Sequence, residues 1–219
     1  MAAPAKYPRP LFPLYAILDA DAAGRAGWTL VDLAFACLSG GVRFLQVRAK
    51  AASGAWLFDT TSAIVALAHQ AGAIVIVNDR ADIARLGGAN GVHVGQDDLA
   101  PASVRQIVGI ERVVGVSTHT IEQIDAAVLK PVDYVAIGPV FGTATKPTGY
   151  EAVGLERVRE AARRADARGL PVVAIGGITL DRAADVIDAG AASVAIISDL
   201  LTGGDPEARV REYVRRLAT

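Results

Sequence analysis

Two aspartates stand out for the chemistry they can do together. Asp79 and Asp98 follow the short apolar runs Ile74–Val77 and Gly91–Val94. If those runs are neighbouring parallel strands, about 4.8 Å apart, both carboxylates converge on one point. Two carboxylates, completed by waters and substrate phosphate oxygens, is how Mg2+ is usually held. Helix capping is the plainer reading of Asp79, and equally of Asp97 or Asp98. It accounts less well for Arg80 and Gln96 arriving in the same two loops. Zinc is disfavoured, because there is no cysteine cluster and no HExxH, and His69, His93 and His119 are scattered.

Other residues suit anions. Lys50 and Lys146 lie just beyond apolar runs, in a chain that otherwise prefers arginine. Two lysines and one Mg2+ would offset most of the charge of a diphosphate; solvent-facing lysines are the alternative. Gly176-Gly177 and Ile197-Ser198 follow the last two apolar runs. Backbone N–H groups bared at glycine, with helix N-termini, can hold a phosphate dianion without any lysine. The alternative there is a tight turn. The single cysteine, Cys37, sits in the apolar run Leu33–Leu38 and reads as a buried helical thiol.

These residues need elements to position them. Eight apolar runs are strand candidates: Leu14–Leu18, Arg43–Val47, Ile74–Val77, Gly91–Val94, Val113–Val116, Tyr134–Ile137, Val172–Ile175 and Ser193–Ile197. They are continuous rather than alternating, as in strands covered on both faces. Helical stripes lie between them, among them Leu30-Leu33-Ala34-Leu38 and Leu57-Ile64-Leu67-Ala68-Ala71. Thr120 and Gln123 form a capping box ahead of Ile121, Ile124 and Val128. Thr179 is expected to cap Leu180–Ala189, with Gly190 ending that helix. A last helix, Pro206–Leu217, should turn Val210, Val214 and Leu217 inward and Arg209, Arg211, Arg215 and Arg216 to solvent.

Eight strand–helix units of about 26 residues, undivided by any linker, predict an α/β fold of one domain, a (β/α)8 TIM barrel. A doubly wound sheet would want a GxGxxG after the first strand, and Asp19–Gly24 lacks it. In a barrel the site lies at the C-terminal strand ends, where the polar clusters of this sequence gather, and the Gly177 and Ser198 positions are where barrels hold phosphate.

The 219 residues carry 22 Lys+Arg against 23 Asp+Glu, a net charge of −1, with 52% hydrophobic residues. A core is assured, and a general nucleic-acid or anionic-membrane binder is disfavoured. No window approaches ~18 uninterrupted apolar residues, so no membrane span is expected. Residues 1–12, broken by Pro4, Pro8 and Pro10, read as a loose tail and not a signal peptide, leaving 13–219 for the barrel. A cytoplasmic protein is expected; a homo-oligomer is left open.

From Leu14 to Leu201 the chain resembles the thiamine phosphate synthase family. The carriers are Gly40–Lys50, Val77-Asn78-Asp79-Arg80-Ala81-Asp82, Gly91–Asp98, Gly115–Thr120, Gly138–Phe141 with Thr143–Lys146, and Ile175-Gly176-Gly177-Ile178. The resemblance implies that Gln46, Lys50, Asn78, Ser117 and Lys146 meet a pyrimidine diphosphate, with Arg48 supporting that loop. It implies that Asp79 and Asp98 hold Mg2+, and that Thr143, Ala144, Thr145, Gly177, Ile197 and Ser198 hold a thiazole phosphate. Lys50, Ser117 and Lys146 would then act on the reacting groups. The implied reaction breaks the methylene C–O bond of the pyrimidine diphosphate to a carbocation, which the thiazole nitrogen captures to give thiamine phosphate and diphosphate. No nucleophilic Ser or Cys is needed. The family usually has Glu where Ala49 stands and often Pro where Gly142 stands; neither removes a ligand. A related thiazole tautomerase shares the barrel but does not need Asp79, Asp98 and Lys50. A non-catalytic barrel binding thiamine phosphate is the rival of another class.

Overall fold

In the computed structural model of the chain, which describes residues 11–142 and 151–218, eight parallel strands close into one barrel. They are β1 (Leu14–Asp19), β2 (Phe44–Arg48), β3 (Ile74–Asn78), β4 (Gly91–Val94), β5 (Val113–Thr118), β6 (Tyr134–Ile137), β7 (Val172–Ile175) and β8 (Ser193–Ile196). They stand in sequence order, and the barrel closes where β1 pairs with β8, Tyr15 beside Ala195. The helices are α1 (Ala20–Arg25), α2 (Leu30–Ser39), α3 (Gly54–Gln70), α4 (Ala81–Leu86), α5 (Pro101–Val108), α6 (Ile121–Ala127), α7 (Gly154–Asp166), α8 (Ala183–Asp188) and α9 (Pro206–Leu217). A 3-10 turn, Ser198–Gly204, joins β8 to α9. Among the described residues no helix is long and apolar enough to cross a membrane.

The strands read as unbroken apolar runs because both faces are buried. Leu45, Val47, Val75, Val77, Val92 and Val94 face the helices, while Tyr15, Ile17, Phe44, Ile74, Ile76 and Tyr134 fill the barrel interior. There the Tyr15 and Phe44 rings stack at 3.7 Å between centroids, and Tyr134 stands edge-on to both. Gly115 faces Tyr134 in the register, and a Cβ on it would lie 2.0 Å from the Tyr134 ring. Glycine at that point lets the ring cross the barrel. Leu11 is buried and Phe12 packs with the same cluster; residues 1–10 of the expected tail lie outside the described residues.

Side-chain caps start several helices, each satisfying an N–H with no partner inside its helix. Thr29 accepts from Asp32 N–H at 3.1 Å for α2, and Ser53 from Trp56 N–H at 3.3 Å for α3. Thr120 accepts from Gln123 N–H at 3.3 Å for α6, and Asp205 from Ala208 N–H at 3.0 Å for α9.

Three local expectations are corrected. Thr179 caps nothing: its hydroxyl donates to Asp181 at 2.5 Å, and α8 starts later, at Ala183. In α9 it is Tyr213, fully buried, that turns inward with Val210 and Leu217, while Val214 is exposed. Arg209 does not join the solvated face, because it is drawn into an ion pair with Asp199 at 2.7 Å. Cys37 is buried as expected, and burial pushes its thiol up to about 12.

Candidate active site

The C-terminal ends of β1 to β4 build a charged rim. Asp19, the last residue of β1, accepts from Ala22 N–H at 2.9 Å to start α1 and also pairs with Arg48 at the end of β2. Arg48 is thereby fixed by a neighbour rather than left to reach outward. Lys50, two residues past β2, places its Nζ 2.5 Å from an oxygen of Asp79. Asp79 has a left-handed backbone, φ 63°, uncommon outside glycine and tolerated best by Asp and Asn.

Asp79 and Asp98 meet as the strand spacing predicted. Their carboxyl groups are within hydrogen-bonding reach. Asp98 accepts from Gly95 N–H at 2.7 Å, so the turn after β4 holds its carboxylate at the rim. Neither aspartate caps a helix: the N-cap positions of α4 and α5 are Arg80 and Ala100, neither with a side-chain cap. Partial burial first, and then the adjacent Asp98, raise the Asp79 carboxyl above its ordinary value, while the Lys50 hydrogen bond opposes them. A divalent cation would relieve that repulsion, so the pair fits Mg2+. Among the described residues no group of three or more His, Cys, Asp or Glu could hold a metal. An ion here would complete its shell with water and substrate oxygens, which suits Mg2+ better than zinc.

The remaining ends build an apolar cleft of about 200 Å³, lined in part by Ser117, Gly177, Ile197 and Ser198. Gly176 and Gly177 both have positive φ, 101° and 64°. A Cβ on Gly176 would lie 2.5 Å from Pro139, and one on Gly177 would lie 2.6 Å from the Gly142 carbonyl. The two glycines therefore make a tight turn and also pack closely against Pro139, Phe141 and Gly142 after β6; turn and binding readings are compatible. A smaller cavity of about 50 Å³ on the barrel axis is lined in part by Gln46, Arg48, Asn78 and Ser117. Ser117, Ile175, Ala195 and Ile197 border both spaces. Gln46 and Asn78, expected on the pyrimidine diphosphate, and Gly177, Ile197 and Ser198, expected on the thiazole phosphate, thus line two adjoining spaces, with Ser117 bordering both. Thr143, Ala144, Thr145 and Lys146 lie outside the described residues.

Sequence reasoning passed over three interior residues, Tyr15, His93 and Tyr134. His93 is buried, with Nε2 2.8 Å from Ser117 Oγ and Nδ1 2.8 Å from the Tyr134 hydroxyl. The available signal was an imidazole alternating in phase with Gly91 and Gly95 inside an apolar strand. His119 lines the cleft, yet its Nδ1 is 2.6 Å from the Gly138 carbonyl and its backbone N–H donates to Gln123 at 2.7 Å. The first ties it to the end of β6 and the second to the first turn of α6.

The family model described as thiamine monophosphate synthase matches residues 14–200. The thiamine-phosphate synthase of Koribacter versatilis (strain Ellin345) is 44% identical over 220 residues, covering 99% of each chain. That of Roseiflexus sp. (strain RS-1) is 43% identical over 198 residues, 90% of this chain and 82% of the other. Among solved structures, a thiamine phosphate pyrophosphorylase from Pyrococcus furiosus superposes with a TM-score of 0.85 at 28% identity, covering 94% of this chain and 95% of that one. With the closed barrel and with polar residues gathered at one end of it, these matches place the chain in the thiamine monophosphate synthase family.

Proposed function

We propose that the chain is a transferase that couples hydroxymethylpyrimidine diphosphate with thiazole phosphate, giving thiamine phosphate and diphosphate. The observation that carries this reading is the shared mouth: a carboxylate pair with a lysine on one side, a glycine-lined cleft on the other, and Ser117 between. Asp79 and Asp98 would hold Mg2+, which when bound would withdraw charge from the departing diphosphate. Lys50, paired with Asp79, is the cation that would turn to the diphosphate oxygens. Gln46, Asn78 and Ser117 orient the pyrimidine so that its methylene faces the thiazole nitrogen. Gly177 and Ser198 offer backbone N–H groups to the thiazole phosphate and set the distance between the partners. Lys146 and Thr143–Thr145 take their parts by resemblance.

The test is direct. The protein, both substrates and Mg2+ are mixed and thiamine phosphate is assayed, with diphosphate released in equal amount. Binding of thiamine phosphate without turnover would overturn the reading in favour of a binding barrel. Absence of product together with proton exchange on a thiazole carboxylate would overturn it in favour of an isomerase.

A further inference from the structure

Strand β1 supplies none of the expected substrate residues, yet its side chains hold two that β2 supplies. Ile17 stands beside Gln46 in the register, and Asp19 beside Arg48. Gln46 Nε2 donates to the Tyr15 hydroxyl at 2.8 Å, and Arg48 Nη1 donates to Asp19 Oδ2. Arg48 lines the axial cavity with Gln46, Asn78 and Ser117, whereas Asp19 lines neither that cavity nor the larger cleft. Asp19 can therefore act on a ligand there only through another residue.

The Asp19 carboxylate is set from two sides. Oδ1 accepts from Ala22 N–H at 2.9 Å where α1 starts, and Oδ2 takes the guanidinium. The Asp19 side chain is 6% exposed and that of Arg48 16%. A guanidinium so far from water is costly without an anion beside it, and its long side chain has many rotamers to lose. Asp19 supplies the anion before any ligand arrives and fixes the side chain in one place. The bond to Asp19 uses one of the five N–H groups of the guanidinium. The rest of the planar fork is left for a ligand in the cavity, and parallel N–H groups match two oxygens of one phosphate. Lys50, two residues on, has its own carboxylate partner in Asp79 at 2.5 Å. A lysine offers a point charge, whereas an arginine adds direction, and direction is lost when the guanidinium is not held.

We propose that Asp19 is a positioning residue for the diphosphate of the pyrimidine substrate: it holds the Arg48 guanidinium beside the axial cavity with the remaining N–H groups turned to the phosphate oxygens. The identity of the ligand rests on the functional reading, since the pair by itself selects a phosphate-bearing anion and no particular ring.

The test is a double-substitution cycle in the full chain. Asp19→Asn keeps an oxygen for Ala22 N–H and removes the charge that faces Arg48. Binding of inorganic diphosphate with Mg2+ is measured calorimetrically, and both KM values are measured in the coupling assay. Asp19→Asn should weaken diphosphate binding and raise KM for the pyrimidine diphosphate, each by about tenfold, and leave KM for the thiazole phosphate unchanged. Arg48→Gln should do at least as much. The double variant should be no worse than Arg48→Gln alone, because Asp19 acts only through Arg48. Wild-type diphosphate binding by Asp19→Asn, losses that add in the double variant, or equal rises in both KM values would each overturn the proposal. So would a wild-type chain that binds no diphosphate in the presence of Mg2+. Should Asp19→Asn fail to fold, Asp19→Glu decides: it keeps the charge but moves the carboxylate by one methylene, and it too should weaken diphosphate binding, unchanged binding again overturning the proposal. If diphosphate binding follows the expected cycle while the wild type makes no thiamine phosphate, the functional reading fails and the role of Asp19 stands.

Discussion

Asp79 does two things that a substitution can separate. Its left-handed φ of 63° favours Asp, Asn or Gly, and its carboxylate faces Lys50 and Asp98. Asp79→Ala would remove the charge and also strain the backbone by about 1 kcal/mol or more. Asp79→Asn keeps the conformation and removes only the charge. It should keep the melting temperature within a few degrees, lower kcat/KM by at least about a hundredfold and weaken Mg2+ binding measured calorimetrically. Asp98→Asn should do the same, since an amide oxygen can still accept from Gly95 N–H. Unchanged Mg2+ affinity in both variants would sink the metal assignment. Cys37 makes the contrasting case. Burial holds its thiol at about 12, so a thiol reagent should label none of the native protein at pH 8 and one group per chain in denaturant. Rapid labelling of the folded chain would mean that α2 opens from the barrel.

The turn after β7 shows how an element carries a site. Gly177→Ala adds a Cβ 2.6 Å from the Gly142 carbonyl at a position where φ is already positive. The sixth loop must move, and the cost should be about 1–3 kcal/mol, read from urea denaturation. KM for the thiazole phosphate should rise more than KM for the pyrimidine diphosphate; equal rises would show that this turn serves only stability. Elements of this kind were legible in the sequence to different depths. The strands announced themselves because burial on both faces leaves continuous Val and Ile runs, and β4, β6 and β7 match their expected limits. The Asp79–Asp98 meeting followed from strand order alone. The late start of α8 did not, because the Thr179 hydroxyl has Asp181 two residues away as a competing partner. The polar contacts inside the barrel were hidden for a different reason. Tyr15, His93 and Tyr134 lie on three strands, and they meet only because Gly115 vacates the space the Tyr134 ring crosses. No spacing within one segment encodes that meeting.

At the scale of the whole molecule, a net charge of −1 has to serve two anionic substrates. The fold does this by placing charges locally and by neutralising the wrong ones. Asp199 borders the cleft proposed for the thiazole phosphate, where a bare carboxylate would repel the ligand. It is held by α9: Arg209 pairs with it at 2.7 Å and the Tyr213 hydroxyl donates to it at 2.5 Å. Burial, and then the neighbouring Asp199, raise the Tyr213 phenol far above its ordinary value, so it remains a donor at any assay pH. The last helix of the chain therefore sets the electrostatics of a cleft built by β5 to β8. Arg209→Gln keeps a polar side chain and removes the charge. Because Arg209 and Asp199 side chains are only 19% and 12% exposed, solvent screens the loss poorly. KM for the thiazole phosphate should rise by about three- to tenfold, with partial recovery between 50 and 300 mM salt, while KM for the pyrimidine diphosphate stays put. A parallel rise in both constants, or a rise indifferent to salt, would reduce Arg209 to a structural tie between α9 and the barrel.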